Sequence, residues 1–353
     1  MSVSKVLLLV GIAWLPIFLL SFLGVPHSTD EYYLTFGHDL SVHAKLLIAL
    51  PVLLFLEPSF LQQLSMFTKV TLTIIPEEHK GRIGRMFQVT KKYFESPYTL
   101  VVLALIVVVI LFLFRWTGDY TSVSWAHQEN GDITYAGWWY YIVSTTFFMT
   151  ILLRWLIRWL VWAYILFVLA TSPVEVVAEH ADGMAGLSYM SFIPTLFGWV
   201  LCAVSIVVSS SIAVDIISTG AQLSSFYIDI VIYCVSCAFL VYAPLALLIA
   251  KVNDSYNNAV IKYGALIRNH HRSFEKKWLV SNPEEEILGS PDPSSKADID
   301  GSYAPLINLS LAPISKSNLI TTIIAIVLPF VPLLLLKYSL KGLLQNMLDM
   351  LVG

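Results

Sequence analysis

Leu152-Leu153-Arg154-Trp155-Leu156-Ile157-Arg158-Trp159-Leu160-Val161-Trp162 lies inside a run that stays apolar, almost without a break, from Gly137 to Thr171. A run of that length reads as a membrane helix, because about 20 apolar residues cross the ~30 Å hydrocarbon layer. Arg154 and Arg158 are one helical turn apart, so both guanidiniums share one face. An arginine deep in a bilayer costs several kcal/mol unless it is paired or hydrated. The stretch therefore puts the chain in a membrane and demands an answer to two positive charges.

Composition agrees. The chain has 353 residues, 57% hydrophobic and 13% charged, with a mean hydropathy of +0.74. Those values belong to polytopic membrane proteins. A net charge of -3 offers no basic face for nucleic acid. Cys202, Cys234 and Cys237 all fall in apolar runs and read as packing residues, not as a disulfide framework or a metal set. After Lys5, the apolar stretch from Val6 runs on to Leu23 with no small-residue cleavage pattern, so it reads as a retained first span and not a signal peptide.

About seven spans follow from length and hydropathy, near 5–24, 44–63, 97–115, 138–160, 191–214, 226–250 and 318–336. The expected fold is an all-α membrane protein, a single polytopic domain over 1–353. The connections 25–43 and 116–137 carry acidic residues and no Lys or Arg, whereas 63–97 and the region after 250 carry many. The positive-inside rule then puts the N-terminus in the cytoplasm and the C-terminus in the periplasm. Trp138-Trp139-Tyr140-Tyr141 fits the outer interface. The fourth helix is expected to run on to Thr171 and the sixth towards Trp278. With the 63–97 hairpin they would build a cytoplasmic layer from 63–97, 161–190 and 251–317. The stretch from Asn282 to Tyr303, rich in Pro and Gly, reads as a loop. The last segment, 338–352, reads as an amphipathic helix on the membrane interface.

Counted from Trp138 at 1.5 Å per residue, Arg154 lies ~24 Å deep and Arg158 ~30 Å deep. That is the inner leaflet, where a long side chain snorkels to the interface. Glu57 reaches ~20 Å down the second span, just before Pro58. A Glu57–Arg154 pair is therefore expected, with Pro51 and Pro58 kinking the helix that carries Glu57. The connection after the fourth span gathers Glu179, His180, Asp182, Gly183 and Gly186. Those residues suit a metal, a proton relay or a pH sensor; equally, they suit a tight turn capped by Asp182. His27, His38 and His43 are further metal candidates on the outer side.

Several stretches carry a resemblance. They are Val42-His43-Ala44-Lys45 through Glu57-Pro58, Leu153-Arg154-Trp155-Leu156-Ile157-Arg158, the His180-Ala181-Asp182-Gly183 turn, Tyr263-Gly264-Ala265-Leu266 to Lys277-Trp278-Leu279, and Ala297-Asp298-Ile299-Asp300-Gly301-Ser302-Tyr303. In these the chain resembles a family of bacterial multi-spanning membrane proteins that has Pro where this chain has Ala181. The resemblance implies a bacterial inner-membrane protein and brings no activity with it.

On function, charged groups at membrane depth favour a homo-oligomeric channel or transporter for an ion or small solute. In it Arg154 and Arg158 attract anions or gate, Glu57 is their counter-ion, and His180 and Asp182 form a gate. No cofactor is expected, and no extramembrane domain is large enough for an ordinary enzyme. A sensor or assembly scaffold docking partners on its cytoplasmic helices is the alternative. A lipid-processing enzyme, with the arginines on a phosphate and His180 as base, is a further one. The orientation of the arginine face discriminates them. A water-filled axis would favour conduction, and another helix would not.

Overall fold

The computed structural model describes residues 2–22, 36–116, 124–127, 132–281 and 285–337. The expected helix 338–352 and His27 lie outside the described residues. Nine helices are described: α1 Val3–Ser21, α2 Leu40–Thr73, α3 Glu77–Glu95, α4 Pro97–Trp116, α5 Tyr135–Thr171, α6 Ser188–Thr219, α7 Leu223–Val280, α8 Asp292–Ile307 and α9 Lys316–Leu336. Of these, α1, α2, α5, α6, α7 and α9 are each long and apolar enough to cross a membrane. The pair α3–α4, bent by 65° at Ser96, brings the candidate crossings to seven when it is counted as one span. Among the described residues the extended backbone amounts to one isolated bridge, His127 to Ile133.

Side-chain contacts fix the direction of each span. Trp14 on α1 meets His43 near the start of α2, and Ser144 near the start of α5 donates to the Ala13 carbonyl. At the other end Ile74, just past α2, accepts from the Glu175 amide, just past α5. Asn318 at the start of α9 meets Ser191 at the start of α6, and Ser209 further along α6 meets Pro329. The spans therefore alternate up and down, with all the long helix extensions at one end.

That end is a layer outside the spans, here called the platform. Both expected extensions are present: α5 continues to Thr171, and α7 is one 58-residue helix ending at Val280. A 58-residue helix is ~87 Å long, far more than a bilayer needs. Ser255 on α7 donates to the Val176 carbonyl, and Lys251 donates to the carbonyls of Leu169 and Ser172. The lysine thereby satisfies backbone groups that the C-terminus of α5 leaves open.

One expectation needs correction. The segment read as a loop contains α8, with Pro293 in its first turn. A proline there starts a helix, because the missing N–H has no intrahelical partner anyway and φ is preset. α2, which carries Pro51 and Pro58, runs on from Leu40 to Thr73. A π-helical stretch, Ala44–Ala49, lies directly ahead of Pro51, a local slip to wider hydrogen bonds.

Gly198 on α6 lets α9 approach closely: a Cβ there would sit 2.8 Å from Thr322 Cγ2. Small residues at such crossings let membrane helices pack backbone to backbone. Gly198→Leu should therefore cost about 1–3 kcal/mol, the usual toll of overpacking. Gly264→Ala, with open space around it on the α7 extension, should gain about 0.5–1 kcal/mol. Thermal unfolding of both variants in detergent checks the contrast.

Candidate functional site

The arginines face another helix. Arg158 on α5 grips Glu57 on α2 with both ends of its guanidinium, Nη1 to Oε1 at 3.0 Å and Nη2 to Oε2 at 3.1 Å. Arg154, one turn earlier, reaches the same carboxylate, Nη1 to Oε2 at 2.9 Å. The expected Glu57–Arg154 pair is present, but the bidentate partner is Arg158. Parallel N–H donors on a carboxylate form the strongest type of protein ion pair.

One carboxylate between two guanidiniums leaves a net positive charge, and the surroundings answer it in two ways. Arg154 Nη2 donates to the Phe94 carbonyl at 2.6 Å, in the last turn of α3. The carbonyl end of a helix carries partial negative charge and open acceptors. Arg158 is stacked among aromatic faces, with its Cζ 4.5 Å from the Trp155 ring centroid, 4.9 Å from Phe60 and 5.6 Å from Phe94. Cation–π attraction of this kind strengthens when water is excluded. Water is excluded here: Arg158 is 0% exposed and Arg154 9%. The Nε atoms of both arginines are buried without a hydrogen-bond partner.

The burial of Arg158 overturns the snorkelling expectation. Depth along one helix suggested a side chain reaching the interface. Instead α3 turns back at the 65° bend and brings Phe94 over the guanidinium. The cluster of Glu57, Phe60, Phe94, Arg154, Trp155 and Arg158 thus clasps three elements: α2, α5 and the elbow between α3 and α4. Trp155 adds a further link, donating to the Leu53 carbonyl at 3.3 Å, beside the gap that Pro58 leaves in the α2 ladder.

His180 and Asp182 lie in the platform, apart from the clasp. Asp182 accepts from the amides of Met184 at 2.9 Å, Gly186 at 3.0 Å and Ser188 at 3.1 Å. Gly183, Ala185 and Gly186 all have positive φ, which two glycines make cheap. Burial works to raise the Asp182 pKa, but the amides of Gly186, Met184 and Ser188 outweigh it and hold the carboxyl below its ordinary range. His180 Nδ1 lies 3.0 Å from Asp182 Oδ1, with the histidine side chain half exposed. The turn is docked by the Ser310 amide, which donates to the Gly183 carbonyl. Among the described residues no group of three or more His, Cys, Asp or Glu is placed to hold a metal ion. Asp182 caps the turn that carries Glu179 and His180.

Sequence reasoning missed a second polar cluster at the opposite end. Asp39 caps α2 through the Ser41 and Val42 amides and accepts from Trp125 Nε1 at 2.9 Å. Lys45 donates to Tyr140 Oη at 2.5 Å and lies 4.5 Å from that ring's centroid. His43, a candidate metal ligand on sequence, accepts from Trp14 Nε1 at its Nδ1. The Asp-x-Ser spacing was a legible cap signal, while the aromatic partners come from distant spans and left no local sign.

No family model, curated protein or solved structure matches the chain. Its architecture alone defines the class, an all-α, multi-pass integral membrane protein.

Proposed function

We propose that the protein is a membrane-anchored docking scaffold of a bacterial inner membrane, presenting its platform to the cytoplasm. The observation that carries this reading is α7. Its extension beyond the spans leaves Ile261 71% exposed and Leu279 76% exposed, with Leu266 and Val280 also open. The α8 helix covers only one side, through Tyr256, Tyr263, Tyr303 and Leu306. Exposed apolar side chains outside a bilayer mark interaction surfaces. Lys262, Arg268, Arg272 and Lys276 are exposed beside them, so the fitting partner is a protein face that is apolar with acidic borders. The Lys and Arg residues of 63–97 and 251–317, against none in the connections 25–43 and 116–137, support its cytoplasmic placement, and the clasp holds the platform elbow to the spans.

Conduction, the reading suggested by two deep arginines, loses its main support because both are committed to Glu57 and to α3. The lipid-processing reading loses its base in the same way, since His180 is held by its own turn. A photo-crosslinking residue at Ile261 or Leu279, activated in native membranes, tests the scaffold. A discrete protein adduct is expected, lost on reversing Lys262 and Arg268 to Glu. Adducts with lipid alone would overturn it. Solute flux through proteoliposomes that fell with Arg154→Ala would restore conduction instead.

A further inference from the structure

A groove of about 480 Å³ opens between α2, α6 and α9 at the end opposite the platform. Its walls are almost wholly apolar, with Leu40, Leu47, Ile48, Ala213, Leu333 and Leu336 among them. Leu40, Leu47, Ile48 and Leu336 are themselves exposed on span surfaces, so the groove faces the acyl region of the surrounding bilayer. Its volume is that of an ordinary ligand pocket.

The polar lining is sparse and its donors can be followed one by one. Ser209 donates to the Pro329 carbonyl and Ser210 to the Val207 carbonyl, so both hydroxyl protons are spent. His43 is different. An indole N–H only donates, so the Trp14 Nε1 to His43 Nδ1 bond at 3.0 Å makes Nδ1 the acceptor and leaves the proton on Nε2. Among the described residues that Nε2–H has no partner. The ring is held against Phe36 and Trp14, with centroids 4.8 Å and 5.9 Å away, so its orientation is set before any ligand arrives. Tyr140, Trp125 and Trp139 surround this end, the aromatic population typical of the headgroup level.

His43 lines the groove and its Nε2 is not among the buried unpaired atoms, so this donor is open to an acceptor that enters the groove. From these observations we infer that the groove is a binding site for one bilayer phospholipid. An acyl chain fills the trough, and a glycerol-ester or phosphate oxygen accepts from His43 Nε2–H. Trp14 is a positioning residue, acting through the tautomer it fixes.

The test is phospholipid retained per chain after purification in mild detergent, measured by native mass spectrometry with lipid extraction. The wild type should keep one phospholipid. Ala213→Phe, which fills the trough and leaves the His43 side chain unchanged, should lose it. His43→Phe, which keeps a ring but no donor, should retain at least threefold less, and Trp14→Phe should fall between that variant and the wild type. Ile48→Trp gives a second way of filling the groove if Ala213→Phe does not yield folded protein. Equal retention in wild type, groove-filled and His43 variants would overturn the inference. So would a wild type that carries no phospholipid, or one that carries a quinone in its place.

Discussion

Glu57→Ala should be the most damaging single substitution in the spans. It leaves Arg154 and Arg158 buried one turn apart, with no carboxylate between them. Breaking a buried ion pair by removing one partner costs about 3–5 kcal/mol, mostly the penalty of the stranded charge. Here two like charges are stranded, so the upper part of that range applies. The apparent Tm in detergent should fall on the order of 10 °C. Glu57→Gln should fall less, because the amide oxygen still accepts one N–H while the neutralising charge is lost.

Removing all three charges together should behave differently. Well-packed apolar replacements for a buried ionic cluster are often neutral or stabilising. Glu57→Leu with Arg154→Met and Arg158→Met should therefore recover most of the stability that Glu57→Ala loses. A triple variant as unstable as Glu57→Ala would show that the clasp works through shape and hydrogen bonding, chiefly the Arg154 bond to the Phe94 carbonyl, and not through charge balance. Arg154→Met alone separates the two contributions, since it loosens the α3 elbow and leaves the bidentate Arg158–Glu57 pair intact.

The clasp was half legible in the sequence, and the missing half has a physical cause. Helical periodicity put both arginines on one face, and counting residues down the second and fourth spans put Glu57 and Arg154 at similar depths. That logic sees one helix at a time. It could not see α3 folding back at Ser96, so Arg158 looked like a side chain free to reach an interface. The spans themselves were readable because apolar length is a one-dimensional signal. So were the long extensions: apolar residues continue past the bilayer limit in α5, and an amphipathic pattern carries α7 on. The start of α8 was misread because Asp292-Pro293 serves equally as a breaker and as a first turn. The Lys45–Tyr140 and Trp14–His43 contacts join residues far apart in sequence and leave no trace in any local pattern.

Asp182→Ala should unfasten the platform while leaving the spans folded. Three backbone amides would lose their acceptor in a turn that also holds three residues at positive φ. Hydrogen bonds to a charged group are worth about 1.5–3 kcal/mol each. Water will replace part of that at a partly exposed turn, so a net loss of about 2–4 kcal/mol is expected. Asp182→Asn keeps one acceptor oxygen and should lose roughly half as much. His180→Ala should cost under about 1 kcal/mol, because its contact is half exposed and its ring only flanks the carboxylate. The reading should be local: faster amide hydrogen exchange across 175–190 and 308–310, the two segments joined by the Ser310–Gly183 bond. The pH dependence follows from the lowered Asp182 pKa. A carboxyl whose folded pKa lies below its unfolded value stabilises above the unfolded value, ~3.9, and loses that contribution as pH falls through the folded one. Protection in these segments should hence stay flat from about pH 8 to pH 5 as far as this group governs it, and fall only in stronger acid. A pH dependence between about pH 8 and pH 5 that vanished in His180→Ala would instead make the histidine, not the aspartate, the group that controls the turn.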